Sequence, residues 1–219
     1  MNSGQSCIAA KRFIVVAALR SKFEFEELFV EQMRAAKVGD PMSEQTDVGP
    51  MARKDLRDAL HAQVKASIAR GARCLTGGKK SDGPGAYYAP TVLTDVRPGM
   101  PAYDEEMFGP VAAVITVKDE AAAIDTANDS IFGLGGGIFS RDLDRAERIA
   151  AHSIDAGSVF VNGVVQSHPK LPFGGVKASG YGRELSHYEI KEFVNIQTVV
   201  ISQTQSGGAQ VGYRQGRAE

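Results

Sequence analysis

The chain has 219 residues, 43% hydrophobic and 23% charged, which is the make-up of a globular protein with a full-sized core. Its 25 Lys and Arg against 26 Asp and Glu leave a formal charge of −1, so no basic excess points to nucleic acid or to an anionic membrane surface. Two cysteines exclude a dense disulfide framework, no signal peptide is legible, and no apolar run approaches the roughly 20 residues of a membrane span, so the expected location is the cytoplasm.

The first stretch is a small polar turn, Asn2-Ser3-Gly4-Gln5-Ser6, that delivers Cys7 ahead of an apolar run at 13–16. That run reads as a short buried strand. A thiol at the lip of such a turn is either a nucleophile on a rigid support or a buried structural cysteine, and the residues alone leave both open. Ser21 and Glu24 have the spacing of a capping box, which predicts a helix with Phe25, Leu28, Phe29 and Met33 as its apolar stripe. Gly39 and Pro41 stop it. After Gly49-Pro50, Leu56, Leu60, Val64 and Ile68 recur at every fourth position and predict a second helix, closed by Gly71. Residues 73–76 read as a strand in which Cys74, with no polar turn around it, is a buried structural thiol.

A loop rich in turn formers covers 77–85, and 87–93 reads as extended, with Pro90 marking a sheet edge or a strand start. Residues 111–117 (VAAVITV) form a continuous apolar run, the type buried on both faces of a parallel sheet. Asp119 caps the next helix, 133–139 reads as a glycine-rich strand, Asp142 caps a helix over 143–152, and 157–161 is a further buried strand. Alternation of strand and helix from 111 onward predicts an α/β fold, a three-layer sandwich with a largely parallel sheet. Ser186 and Glu189 predict a second capping box and a short helix to Phe193. A β-branched strand follows at 195–201, and the Gln, Ser and Gly-rich tail 202–219 reads as disordered.

Two further stretches carry possible chemistry. Glu105-Glu106-Met107-Phe108-Gly109-Pro110 sets a carboxylate and a ring on a rigid turn before the apolar strand. It reads either as a hydrogen-bond acceptor for sugar hydroxyls beside a packing surface for a flat heterocycle, or as a plain acidic turn with one core Phe. The run from Pro172 to Glu184 carries Gly174, Gly175, Gly180 and Gly182, which imply backbone packed on backbone. Phe173, Val176 and Tyr181 punctuate it, unlike a flexible linker. The four histidines are scattered, with no zinc spacing, and no metal site is expected.

N-S-G-Q-S-C, then E-x-F-G-P, then P-F-G-G-x-K-x-S-G-x-G-R-E, in this order, resemble the aldehyde dehydrogenase superfamily, and within it the bacterial members that oxidise succinate semialdehyde with NAD or NADP. The resemblance runs from Asn2 to Ile201. It implies that Cys7 is the catalytic cysteine, forming a thiohemiacetal and then a thioester, with its backbone N–H as one oxyanion donor. It implies that Glu106 binds the nicotinamide ribose, that Phe108 lies beside the nicotinamide, that Phe173 lines the aldehyde pocket, and that Ser167 contacts the substrate carboxylate, with His168 and Lys170 as neighbouring candidates. Residues 1–193 are then the catalytic domain without its N-terminal part, 194–201 an oligomerisation strand of a homo-dimer or tetramer, and 202–219 a tail. The dinucleotide-binding domain, the water-activating glutamate and the second oxyanion donor have no counterpart here, and Met1 stands where semialdehyde members often carry a basic residue. The expectation is an NAD(P)-dependent oxidoreductase portion, inactive by itself, with a non-catalytic scaffold as the alternative.

Overall fold

The fold is built around β4, Val111–Val117, the continuous apolar run. The computed structural model describes residues 2–18, 25–81 and 83–201. The capping residues Ser21 and Glu24 and the tail 202–219 lie outside them. β1 (Arg12–Val16) runs parallel to β4 on one side. β3 (Thr91–Thr94) runs parallel to it on the other, and β2 (Arg73–Thr76) joins β3 antiparallel, giving the order β1-β4-β3-β2. This is the expected α/β architecture with a mixed, mostly parallel sheet. Pro90 precedes β3 directly, so it marks a strand start; β3 itself is interior and buried at every position.

Successive residues of these strands face opposite ways, and each face has its own apolar cluster. Leu93, Val111, Ala113 and Ile115 pack with Leu60 and Val64 of α2 (Lys54–Ala69) and with Ala102 and Tyr103 of α3 (Pro101–Asp104). Val15, Val92 and Val114 pack with Val30, Phe25, Phe29 and Met33 of α1 (Phe25–Ala35). Helix, sheet and helix thus form the three expected layers. The buried side of α2 is Leu60, Val64 and Ser67, whereas Leu56 and Ile68 are exposed. A strict four-residue repeat drifts around a helix of 3.6 residues per turn, so only the middle of the predicted stripe faces the sheet.

Beyond β4 the predicted caps are present. Asp119 accepts the Ala122 N–H at 2.9 Å to open α4 (Glu120–Asn128), and Asp142 accepts the Arg145 N–H at 3.0 Å to open α5 (Leu143–His152). The glycine-rich strand is broken at Leu134 into β5 (Phe132–Gly133) and β6 (Gly135–Ile138). β6 pairs parallel with β7 (Ser158–Val161), and β5 pairs antiparallel with β8 (Val176–Lys177). β7 is half-buried along its length, not buried, because its sheet has two strands among the described residues. Asn128 joins these parts: its side chain donates to Ser153 O at 2.7 Å and accepts from Asp155 N at 2.9 Å, and its carbonyl accepts from Lys177 Nζ at 2.8 Å.

Two expectations are corrected. Cys74 is exposed, because β2 is the outer strand of its sheet; its sulfur turns back to donate to Thr76 O at 3.2 Å. α6 (Glu189–Glu192) has no capping box, since Leu185 and Ser186 adopt left-handed φ of 63° and 58° and the Ser186 hydroxyl accepts from Tyr188 N instead. Among the described residues, 195–201 pair with no other segment, and Ile196, Val199 and Ile201 are exposed; β-branched residues form a strand where an edge is there to pair with. Among the described residues no helix is long and apolar enough to cross a membrane.

Candidate active site

Parallel pairing brings two distant turns to one end of the sheet. The Cys7 turn leads into β1 and the Glu106 turn leads into β4, and because these strands are parallel neighbours their entrances lie side by side. The Cys7 turn is tight: Asn2, Ser3 and Gly4 all have positive φ, of 48°, 50° and 74°. Gln5 N donates to Asn2 O at 2.9 Å. The turn is pinned to the segment before α2, where Ser3 Oγ donates to Gly49 O at 2.9 Å and Gln5 Oε1 accepts from Ala52 N at 2.8 Å. Gly4 lies so close to the other turn that a Cβ there would overlap the Gly109 carbonyl oxygen. Only glycine permits both that approach and that φ.

Across the contact, Met107 is buried in the core while Glu106 and Phe108, on either side of it, are exposed. Glu105 accepts from Gln63 Nε2 of α2 at 2.8 Å, which holds the turn from behind. Lys11 connects the two turns. Its Nζ donates to the carbonyls of Ser6 at 2.8 Å and Ala9 at 2.9 Å, which flank Cys7. The same nitrogen lies 3.7 Å from Glu106 Oε1 and 5.2 Å from the centre of the Phe108 ring. Burial pushes the Lys11 ammonium below the ordinary lysine range, and the charges of Glu106 and Cys7 pull it partly back. Cys7 is exposed, and among the described residues its backbone N–H has no protein acceptor. An exposed thiol, a neighbouring ammonium and a free N–H form the minimal set for nucleophilic attack on a carbonyl carbon.

The third stretch is folded as its glycines suggest, on a different part of the chain. Phe173 and Glu184 close it with reciprocal backbone hydrogen bonds of 2.8 Å each. A Cβ at Gly157 would overlap the Gly174 carbonyl, Ser179 Oγ accepts from Gly133 N at 3.0 Å, and Ala178 N donates to Ile131 O at 2.9 Å. Phe173 is half-buried there and Ser167 is exposed. Among the described residues no hydrogen bond or ion pair joins this segment to the Cys7 turn, so Cys7, Glu106 and Phe108 are brought together while Phe173 and Ser167 are not linked to them. His168 and Lys170 share a local turn, with Lys170 N donating to His168 Nδ1 at 3.2 Å. Reading the residues alone does not single out Lys11. Its one sequence signal is that it stands directly before β1.

Residues 1–199 match the aldehyde dehydrogenase family. The chain is 53% identical over 198 residues to the succinate semialdehyde dehydrogenase [NAD(P)+] Sad of Escherichia coli K12, covering 90% of this chain and 42% of that protein. It is 49% identical over 208 residues to a succinate-semialdehyde dehydrogenase [NADP(+)] of Mycobacterium avium, covering 95% of this chain and 43% of that one. Among solved structures it superposes on Gox0499 with a TM-score of 0.85 at 42% identity, over 91% of this chain and 43% of that chain. On betaine aldehyde dehydrogenase of Staphylococcus aureus in complex with NAD+ it superposes with a TM-score of 0.83 at 34% identity, over 88% and 38% of the two chains. The chain spans less than half the length of the curated relatives it matches.

Proposed function

The chain belongs to the aldehyde dehydrogenase family, and from that premise we propose that it carries the nucleophile and one side of the cofactor site of an enzyme that oxidises an aldehyde, succinate semialdehyde, to its carboxylate with NAD or NADP. The observation that carries the reading is the contact of the two turns, Gly4 against Gly109, with Lys11 between Cys7 and Glu106. Residues 1–193 act as the catalytic portion. The exposed β-branched residues of 195–201 are assigned to pairing with a second subunit.

In this reading the Cys7 thiolate attacks the aldehyde carbon. A carbon–sulfur bond forms as the carbonyl π electrons move to oxygen, and the Cys7 backbone N–H donates to that oxygen. When bound, NAD(P)+ supplies the two-electron acceptor that takes the adduct to a thioester. Addition of water to the thioester carbon breaks the carbon–sulfur bond, freeing the carboxylate and returning Cys7. The exposed residues of the second turn fit the nicotinamide end of such a cofactor. The Glu106 side chain, 43% exposed, offers acceptors to ribose hydroxyls, and Phe108, 39% exposed, offers a flat apolar surface next to it. Ser167 and Phe173 are assigned to the substrate carboxylate and the aldehyde pocket on the family resemblance. Oxidation needs the acceptor held firmly against the adduct, and two cofactor contacts are few for that task. We therefore expect no NAD(P)-dependent turnover from the 219 residues alone.

The test is protection. Succinate semialdehyde at millimolar concentration should slow iodoacetamide labelling of Cys7 and leave Cys74 unchanged, as read by peptide mass spectrometry. Equal labelling of Cys7 with and without the aldehyde sinks the proposal.

A further inference from the structure

Lys11 does not behave as a surface lysine. Its side chain is 15% exposed, and its place is set by the ladder, because the Lys11 carbonyl accepts from Ala113 N of β4 at 3.0 Å. An ammonium has three N–H donors and no acceptor. Two of them are spent on the carbonyls of Ser6 and Ala9, before and after Cys7, and the remaining direction has Glu106 Oε1 at 3.7 Å. The charged groups that act on it are Glu106, from the turn before β4, and Cys7, from its own turn. Burying a cation costs stability unless it is paired and hydrogen-bonded, and here both conditions are met by the two turns of the candidate site and by nothing else among its described partners.

Resting on the reading of Cys7 as nucleophile and Glu106 as a cofactor contact, we propose that Lys11 is a positioning residue. It locks the nucleophile turn onto the Glu106–Phe108 turn and holds a positive charge at the turn that bears the Cys7 thiol. With Cys7 as thiolate and Glu106 ionised, one ammonium is shared between two anions. Removing the ammonium leaves two negative groups at one end of the sheet, so the thiolate forms less readily. Removing the Glu106 charge leaves the ammonium to Cys7 alone, so the thiolate forms more readily. Opposite signs from two neighbouring substitutions separate this role from a purely structural one, which loosens the turn without moving the titration.

The experiment is the pH profile of iodoacetamide alkylation of Cys7 in the 219-residue chain, followed peptide by peptide with Cys74 as internal reference. Lys11→Met should raise the Cys7 midpoint and slow alkylation at pH 7 by about tenfold, with Cys74 unchanged. Lys11→Arg, which keeps the charge, should restore most of the rate, and Glu106→Gln should lower the midpoint. An unmoved midpoint in Lys11→Met overturns the inference. If circular dichroism shows that Lys11→Met does not fold, an unmoved or raised midpoint in Glu106→Gln overturns it. If Cys7 of the unsubstituted chain reacts no faster than Cys74, the nucleophile reading falls and this inference with it. If Cys7 is fast but indifferent to Lys11, only this inference falls.

Discussion

The Lys11 ammonium lies 3.7 Å from the Glu106 carboxylate, joining a turn that enters β1 to a turn that enters β4. The pair is asymmetric. Lys11 is mostly buried and doubly hydrogen-bonded to carbonyls, whereas Glu106 keeps 43% of its side chain in water. Solvent therefore weakens the ion pair itself, and the larger energetic fact is that the lysine is desolvated.

That desolvation has a signed effect on stability. The folded-state pKa of Lys11 is lowered below 10.5, so between the lowered value and 10.5 the unfolded chain binds more protons than the folded one. Stability contributed through this residue is least where both states hold the proton, and it rises with pH through that window. The urea midpoint of the native chain, taken relative to Lys11→Met, should climb as pH is raised toward 10.5. A flat or falling difference would show that the ammonium bears no burial penalty.

Gly4→Ala should separate two kinds of glycine. A left-handed φ costs a residue with a Cβ about 1–2 kcal/mol. Gly99, at φ 88° with nothing near its Cβ position, should lose about that much on substitution by alanine. Gly4, at φ 74°, would in addition drive a methyl group into the Gly109 carbonyl, so Gly4→Ala should be the more destabilising by a clear margin. Equal urea midpoints for the two variants would mean that the turns are not in contact.

Leu60 supports the same contact from below. It is 2% exposed, and its side chain occupies the space a Cβ on Gly109 would need. Leu60→Ala should cost about 2–5 kcal/mol, the range for emptying a buried leucine site. Leu56→Ala, one helical repeat earlier but 41% exposed, should stay within about 0.5 kcal/mol. Chemical denaturation reads both. Similar losses at the two positions would return both leucines to one buried stripe.

Cys74 should be a sluggish thiol despite lying on an exposed residue. Partial burial of its sulfur, which rests against Gly78 and donates to Thr76 O, pushes its pKa above the ordinary cysteine value. Its alkylation rate should keep rising with pH past the midpoint of a free cysteine peptide measured alongside. A midpoint at or below that of the peptide would place the sulfur in water.

Much of the chain was legible one residue at a time. Asp119 and Asp142 cap the predicted helices because a cap is decided within one turn of backbone. Val111–Val117 is a parallel strand buried over its first five positions because five consecutive apolar residues leave no polar face there. Gly174 touches Gly157 and Gly182 as close-packed glycines should. The misreadings have two causes: the Ser186 cap failed locally, on left-handed backbone at Leu185 and Ser186, whereas Cys74 needed knowledge of a neighbour distant in sequence. Cys74 looks interior until β2 proves to be the outer strand.

The sequence by itself determined the central strand, the longer helices and the tight turns, and it carried the motifs that identify the family, because those features depend on residues within a few positions of one another. Only the tertiary structure decided that Cys7 and Glu106 share one end of a sheet with a lysine between them. That meeting comes from the parallel pairing of Arg12–Val16 with Val111–Val117, a contact between segments separated by most of the sheet's own chain, which no local pattern encodes.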